Sequence, residues 1–285
     1  MKFKIKKASE VGFCFGVKRA IDILEKSAKE YGNVETFGEV VHNEQVMQRL
    51  AKLGIDVVHS IDDIAANIVA ISSHGVSPQI EQEFKSKKFK VIDTTCPFVK
   101  RAQRAAKKLS ESGFYVLIYG DSEHSEVKGI LGWADGKGIA AVDAQKVKNS
   151  LIGLRRIGIL SQTTQIPEKF TAFTKEIIDL AMAKDVEIRI LDTICHDIRK
   201  RQEISLELSK KVELMLVIGG GKSANSKRLQ ELCSTVTETH LIDTLEAINF
   251  AWLQNKIRIG ITSGTSTSIQ TIDEIVTYLN KTNNV

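Results

Sequence analysis

One corner occurs three times in this chain, and no other feature constrains the fold as tightly. An apolar strand stops, a cysteine stands at the turn, and an amphipathic helix begins at once. The copies are "SEVGFCFGVKRAIDILEKSAKEYG" around Cys14, "VIDTTCPFVKRAQ" around Cys96 and "ILDTICHDIRKRQ" around Cys195. Apolar residues then recur at helical spacing: Val17, Ile21 and Leu24; Val99, Ala102, Ala106 and Leu109; Ile198, Ile204 and Leu208. The next strand ends in a glycine (Gly38, Gly120, Gly219), and its offset from the cysteine is identical in the three copies. His42, His124 and Ser223 follow at a second fixed offset, one full helical turn past the glycine. A third strand follows in "IVAISSHGVSP", "IGILSQTTQIP" and "IRIGITSGTSTS", which puts Ser73, Ser161 and Ser263 in matching places.

Strands alternating with helices predict parallel sheets joined by right-handed crossovers. The expected fold class is therefore α/β: three similar α/β units with small parallel sheets, arranged as a pseudo-threefold trefoil around a central cluster. The expected divisions are 1–95 with Cys14, 96–193 with Cys96 and 194–285 with Cys195. Such sheets bind ligands beyond the carboxyl ends of their strands, where all the repeated residues lie.

Bulk properties narrow the function. With 285 residues, 42% hydrophobic and 26% charged, the composition is that of a globular enzyme or binder rather than a disordered chain. The net charge of +5 suits an anionic small molecule or an acidic protein partner. Its lysines are scattered over helix faces, with no basic stripe interleaved with aromatics, so nucleic acid is not expected. Apolar runs such as "VELMLVIGGG" fall short of the roughly 20 residues of a membrane span. The start "MKFKIKKASE" predicts a first strand with Phe3 and Ile5 alternating, not a signal peptide. The expected location is cytoplasmic.

Four cysteines without a C-x-x-C spacing give neither a disulfide framework nor a local zinc or thioredoxin signal. Cys233 sits mid-helix in "SKRLQELCSTV" with Leu229 and Leu232 and reads as a core position. The other three share one kind of corner, at helix N-termini that favour the thiolate. Small buried thiols at tight turns are one explanation. A metal that neutralises three converging thiolates is the other: zinc wants a fourth ligand, whereas a 4Fe–4S cluster on three cysteines leaves one iron open.

The polar loops offer His42, His74, His124, Thr163, Thr164, Ser223, Asn225 and Ser266, several just before helices. They suit either helix capping or the oxygens of a phosphate or diphosphate. Glu126, two residues after His124, could shuttle a proton beside such a ligand or serve as a solvated helix start. His59 and His240 read as ordinary surface or strand residues, and His196 has no clear role. Two glycine patterns are decoys. "GGGKSA" at 219–224 with Asp243 fits a dinucleotide fingerprint, but the other two copies lack its glycines. The P-loop reading of "GGGKS" fails because Leu216 stands where a glycine is required.

The motifs "GFCFGVKRAI", "VVHN", "SSHGVS", "DTTCP", "GDSEHSEVKG", "SQTT", "DTICHDIRKRQ", "KSANS" and "TSGTS" are spread along nearly the whole chain. In these motifs the sequence resembles the 4-hydroxy-3-methylbut-2-enyl diphosphate reductases, which act last in the non-mevalonate isoprenoid pathway. The resemblance implies one 4Fe–4S cluster per chain, with Cys14, Cys96 and Cys195 as its ligands and one iron open to substrate. It implies reductive removal of the substrate's allylic hydroxyl as water, giving isopentenyl and dimethylallyl diphosphates. His42, His74, His124, Thr163, Ser223, Asn225 and Ser266 would bind substrate, with Glu126 as the proton donor and Thr163 and His124 beside the reacting group. A ferredoxin or flavodoxin is the implied electron donor, and the expected state is a monomer. Ala224, where some members carry serine, and Ser268, where proline is usual, depart from the pattern.

Overall fold

The computed structural model describes residues 3–181 and 185–283, which form two compact units. One comprises Arg19–Val40 and Leu53–Cys195; the other comprises Met1–Lys18, Val41–Lys52 and His196–Val285. Helix α1 (Phe15–Tyr31) runs from the second into the first.

The unit of Arg19–Val40 and Leu53–Cys195 holds two four-stranded parallel sheets. In one, β2 (Val34–Phe37) lies between β3 (Ile55–Val58) and β4 (Ile68–Ile71), and β5 (Lys90–Asp93) completes the order β3-β2-β4-β5. In the other, β6 (Tyr115–Tyr119), β7 (Gly138–Ala141), β8 (Arg156–Ser161) and β9 (Glu187–Ile190) take the order β7-β6-β8-β9. Their helices are α3 (Pro78–Ser86), α4 (Pro97–Glu111), α5 (Ser125–Gly132) and α6 (Pro167–Ala181). Phe84 packs with Val69 and Ile71 under the first sheet, and Ala102, Ala106 and Leu109 of α4 pack with Val116, Ile118 and Leu160 under the second.

The remaining unit has one sheet of β10 (Leu214–Ile218), β11 (Glu238–Ile242), β12 (Arg258–Ser263) and β1 (Lys4–Lys7), in the order β1-β12-β10-β11. Its helices are α2 (Glu44–Ala51), α7 (His196–Ser209), α8 (Ala224–Ser234) and α9 (Ile269–Asn283). Every residue of β10 is buried, as befits a central parallel strand covered on both faces. First in the chain, β1 completes the last sheet, with Lys4 opposite Arg258 and Lys7 opposite Ile261.

All three sheets follow one plan. The strand leading into a cysteine lies at an edge: β5 before Cys96, β9 before Cys195 and β1 before Cys14. The glycine at the fixed offset past each cysteine donates its N–H to the last residue of the adjacent strand. Gly38 reaches Val58 O at 2.8 Å, Gly120 reaches Ala141 O at 3.1 Å and Gly219 reaches Ile242 O at 2.8 Å. The expected offset is thus a physical equivalence.

Two expectations need correction. The serines matched by eye are out of register. Cys14, Cys96 and Cys195 donate their backbone N–H to Thr265 O (3.2 Å), Ser73 O (3.0 Å) and Thr163 O (3.0 Å). Ser73 therefore corresponds to Thr163 and Thr265, not to Ser161 and Ser263, because β4 ends earlier than its counterparts. The apolar face expected on α7 is also displaced. Ile198 is buried, but Ile204 and Leu208 are only half-buried, and Arg201, Gln202, Ser205 and Ser209 take the inner positions. The neighbouring strand explains it, since β12 presents Thr262 and Ser263. Ser205 Oγ lies 2.7 Å from Thr262 Oγ1, and Arg201 bonds Ser263. Arg201, Ser205 and Ser209 bury there because each finds a partner.

Candidate functional site

Each cysteine ends up where sequence spacing places it, immediately before a helix. Cys96 is the N-cap of α4, and its carbonyl accepts from Lys100 N at 3.0 Å; Cys14 O accepts from Lys18 N at 2.9 Å. Cys195 precedes α7 and is buried. No disulfide joins any of the four. Each of the three thiols stands on an equivalent main-chain hydrogen bond, and thiols are the donors an iron–sulfur cluster takes. The expected ease of ionisation is corrected for Cys14. Burial pushes its thiol up, against the opposing pull of the Val17 and Gly16 N–H groups and the nearby Arg201 charge. A buried thiol of this kind loses its proton to solvent when a metal ion takes its place on sulfur. Cys233 is fully buried against Val212, Met215 and Leu208, and burial alone pushes its thiol up to about 12.

In the unit of Arg19–Val40 and Leu53–Cys195, the loops after β4, β6 and β8 carry His74, His124, Thr163 and Thr164, and the first turn of α5 carries Glu126. His74 and His124 meet edge to face, with ring centroids 5.4 Å apart. Gly75 makes that placement possible: its φ of +71° is strained for any side chain, and a Cβ would lie 2.4 Å from Gln103 Nε2. His124 caps α5, its Nδ1 accepting from Glu126 N at 3.2 Å. Glu126 is 2% exposed, which excludes a solvated helix start. Thr163 holds both of its oxygens, the backbone N–H donating to Oε1 at 2.7 Å and the hydroxyl to Oε2 at 2.9 Å. Burial outweighs those two donors and pushes the carboxyl up to about 7. A group that shares its proton evenly at neutral pH is suited to general acid catalysis.

The other unit places its polar residues on the ends of β10 and β12. These strands are neighbours, with Ile218 opposite Ser263. Ser223 caps α8, its hydroxyl accepting from Ser226 N at 3.3 Å. Asn225, 2% exposed, and Ser266, 5% exposed, are buried with no partner for Asn225 Oδ1, Asn225 Nδ2 or Ser266 Oγ. Buried polar groups are rarely left so, and those that are point to a missing ligand or water. In the same unit, His42 lies one residue before the α2 cap, Asn43. Its carbonyl would stand 2.7 Å from a Cβ on Gly220, so the glycine at 220 allows the two loops to close.

A family model for the LytB protein matches residues 5–280. The chain belongs to the LytB family. Among LytB relatives, a 4-hydroxy-3-methylbut-2-enyl diphosphate reductase of Dehalococcoides mccartyi (strain CBDB1) is 56% identical over 98% of both chains. One from Geobacter metallireducens is 38% identical over 94% of both. Among solved LytB-type structures, an (E)-4-hydroxy-3-methyl-but-2-enyl diphosphate reductase described as the terminal enzyme of the non-mevalonate pathway superposes with TM-score 0.71. It is 35% identical, over 97% of this chain and 99% of that one. The Plasmodium falciparum E-1-hydroxy-2-methyl-but-2-enyl-4-diphosphate reductase superposes with TM-score 0.90 at 25% identity, covering 98% of this chain and 89% of that one. The α/β fold expected from the repeat is the LytB fold.

Sequence spacing did not single out Arg19, Arg101 and Arg201. Each donates to main-chain carbonyls beside a cysteine. The signal was present in "VKRA" of the first two copies and "RKRQ" of the third. Among the described residues no helix is long and apolar enough to cross a membrane.

Proposed function

We propose that this chain catalyses the reaction its relatives are named for. It is an oxidoreductase that converts (E)-4-hydroxy-3-methylbut-2-enyl diphosphate to isopentenyl and dimethylallyl diphosphates, the last step of the non-mevalonate pathway. The carbon–oxygen bond of the allylic alcohol breaks and a carbon–hydrogen bond forms. With two electrons from an external donor and two protons, the hydroxyl leaves as water. A 4Fe–4S cluster on Cys14, Cys96 and Cys195 supplies Lewis acidity and single-electron transfer when bound.

The chain's own residues do the rest. The diphosphate is the handle on a small apolar substrate. His42, His74, His124, Ser223, Asn225 and Ser266 offer it neutral donors and imidazoles at helix starts. Glu126 delivers a proton, and Thr163 holds the carboxyl in place and stands beside the substrate hydroxyl. The observation that carries this reading is Glu126, buried and doubly held by Thr163, with its carboxyl near 7. Division of the chain at 1–95, 96–193 and 194–285 remains our proposal for the repeat boundaries. A small acidic ferredoxin or flavodoxin suits the net charge of +5. We further propose a cytoplasmic monomer.

The test is anaerobic reconstitution with iron and sulfide, then turnover of the allylic diphosphate with a low-potential reductant. Serine at Cys14, Cys96 or Cys195 should abolish conversion. Cys233→Ser should leave iron content and turnover intact while lowering stability by about 1–3 kcal/mol for a buried hydroxyl. Iron-free protein that still converts substrate would end the proposal.

A further inference from the structure

Each cysteine corner is tied to the helix that follows a different cysteine. Arg19, five residues after Cys14, donates Nη1 to the carbonyls of Thr94 (3.4 Å) and Thr95 (3.3 Å), just before Cys96. Arg101, five residues after Cys96, donates Nη2 to Ile194 O (3.4 Å), just before Cys195. Arg201, six residues after Cys195, donates Nη2 to Gly12 O (3.0 Å), two residues before Cys14. Its Nη1 reaches Ser263 O (3.0 Å) and Oγ (3.2 Å), and Ser263 Oγ in turn accepts from Gly12 N at 2.8 Å. The chain of ties therefore runs 14 to 96, 96 to 195 and 195 to 14.

Three copies of one contact, made by the same residue type, are more than incidental carbonyl capping. A guanidinium stays charged at any accessible pH and presents several donors in a rigid fork, so it fixes backbone and charge together. The three differ in depth. Arg201 is 4% exposed, Arg19 is half-buried and Arg101 is exposed.

We propose that Arg19, Arg101 and Arg201 are positioning residues for the iron–sulfur centre, each fixing the main chain beside one cysteine and holding a positive charge there, Arg201 most strongly. This rests on the cluster assignment above. Three thiolates on an oxidised 4Fe–4S core carry one net negative charge, and the added electron makes it two. A buried cation beside a ligand therefore favours the reduced state. Its effect grows as screening by water falls, so the order of influence is Arg201, Arg19, Arg101.

The experiment is a redox titration of the reconstituted full-length chain, followed by the electron spin resonance of the reduced cluster, with iron and sulfide counted for each variant. Arg201→Gln should lower the reduction equilibrium constant about tenfold, equivalent to about 59 mV for one electron. Arg201→Lys, which keeps the charge and loses the fork, should stay within about twofold of wild type. Arg19→Gln should fall between, and Arg101→Gln should remain within about twofold. A wild-type potential in Arg201→Gln, equal shifts in its Lys and Gln forms, or a reversed order would overturn the proposal. If Arg201→Gln does not fold, an unshifted Arg19→Gln overturns it instead. A wild-type chain that takes up no cluster refutes the cluster assignment itself, a different result from a loaded wild type with unresponsive arginines.

Discussion

Glu126 and Asn225 occupy the same place in two copies of the repeat. Each stands at the same offset from its own cysteine (Cys96 and Cys195), in the first turn of a helix whose cap stands two residues earlier, and each is 2% exposed. Their hydrogen bonding is opposite. Both Glu126 oxygens are held by Thr163, whereas both polar atoms of Asn225 lack a partner, although Thr265 corresponds to Thr163. One scaffold thus makes a closed corner and an open one. The closed corner holds both carboxyl oxygens on fixed donors. Under the proposed function, the open corner offers an arriving anion a neutral amide, where a carboxylate would repel it.

The largest effect should come from the closed corner. Glu126→Gln preserves shape and burial but has no proton to give, so kcat should fall about 1,000-fold, within the usual range for a general acid. Iron content and KM should barely change. Turnover within threefold of wild type would mean that the proton comes from elsewhere and that the contrast with Asn225 is only structural.

The same variant carries a stability signature that Asn225 cannot have. Folding raises the Glu126 carboxyl from 4.5 to about 7, so between those values the folded chain binds a proton that the unfolded chain has released. The resulting stabilisation is complete below about pH 4.5 and is lost as pH rises through 7, a change of about 3 kcal/mol at 1.36 kcal/mol per pH unit. Denaturant unfolding at pH 5 and pH 8 should show Glu126→Gln gaining on wild type by about 2.5 kcal/mol of it. Parallel curves would show that the carboxyl is not protonated in the folded chain.

At the open corner the loss should appear in binding. If Asn225 holds the diphosphate, Asn225→Ala removes a hydrogen bond to a charged group worth about 1.5–3 kcal/mol and should raise KM by about 10- to 100-fold with kcat nearly unchanged. A fall in kcat at constant KM would place Asn225 with the reacting atoms instead.

How much of this contrast was legible in the sequence follows from what spacing encodes. The glycines at 38, 120 and 219 had to match because each closes one strand onto its neighbour, and fixed offsets reveal that directly. Ser73, Ser161 and Ser263 misled because letter identity was followed where strand length differs. Main-chain hydrogen bonds, invisible in letters, set the true register of Ser73, Thr163 and Thr265. The polar inner face of α7 was hidden for a related reason: periodicity finds apolar stripes, and Arg201 and Ser205 are buried by virtue of partners on β12. Glu126 was visible as a candidate acid, but its burial, which makes it one, depends on packing from distant segments. The orphaned state of Asn225 has no sequence signal at all.

The smallest effect sharpens the comparison most. Ser266 Oγ is buried without a partner at the open corner, and Thr163 Oγ1 is buried with one at the closed corner. Removing the first hydroxyl as Ser266→Ala relieves an unmet desolvation cost and should stabilise the ligand-free chain by about 1 kcal/mol. Removing the second as Thr163→Val strips a donor from a buried carboxyl and should destabilise it by a similar amount. Melting temperatures without substrate should therefore move in opposite directions, by about 2 °C each in a chain of this size. Bound diphosphate should reverse the ranking for Ser266→Ala, because only wild type then has its hydroxyl satisfied. If both variants melt below wild type with and without ligand, Ser266 is already paired in the free chain and the open corner is not open.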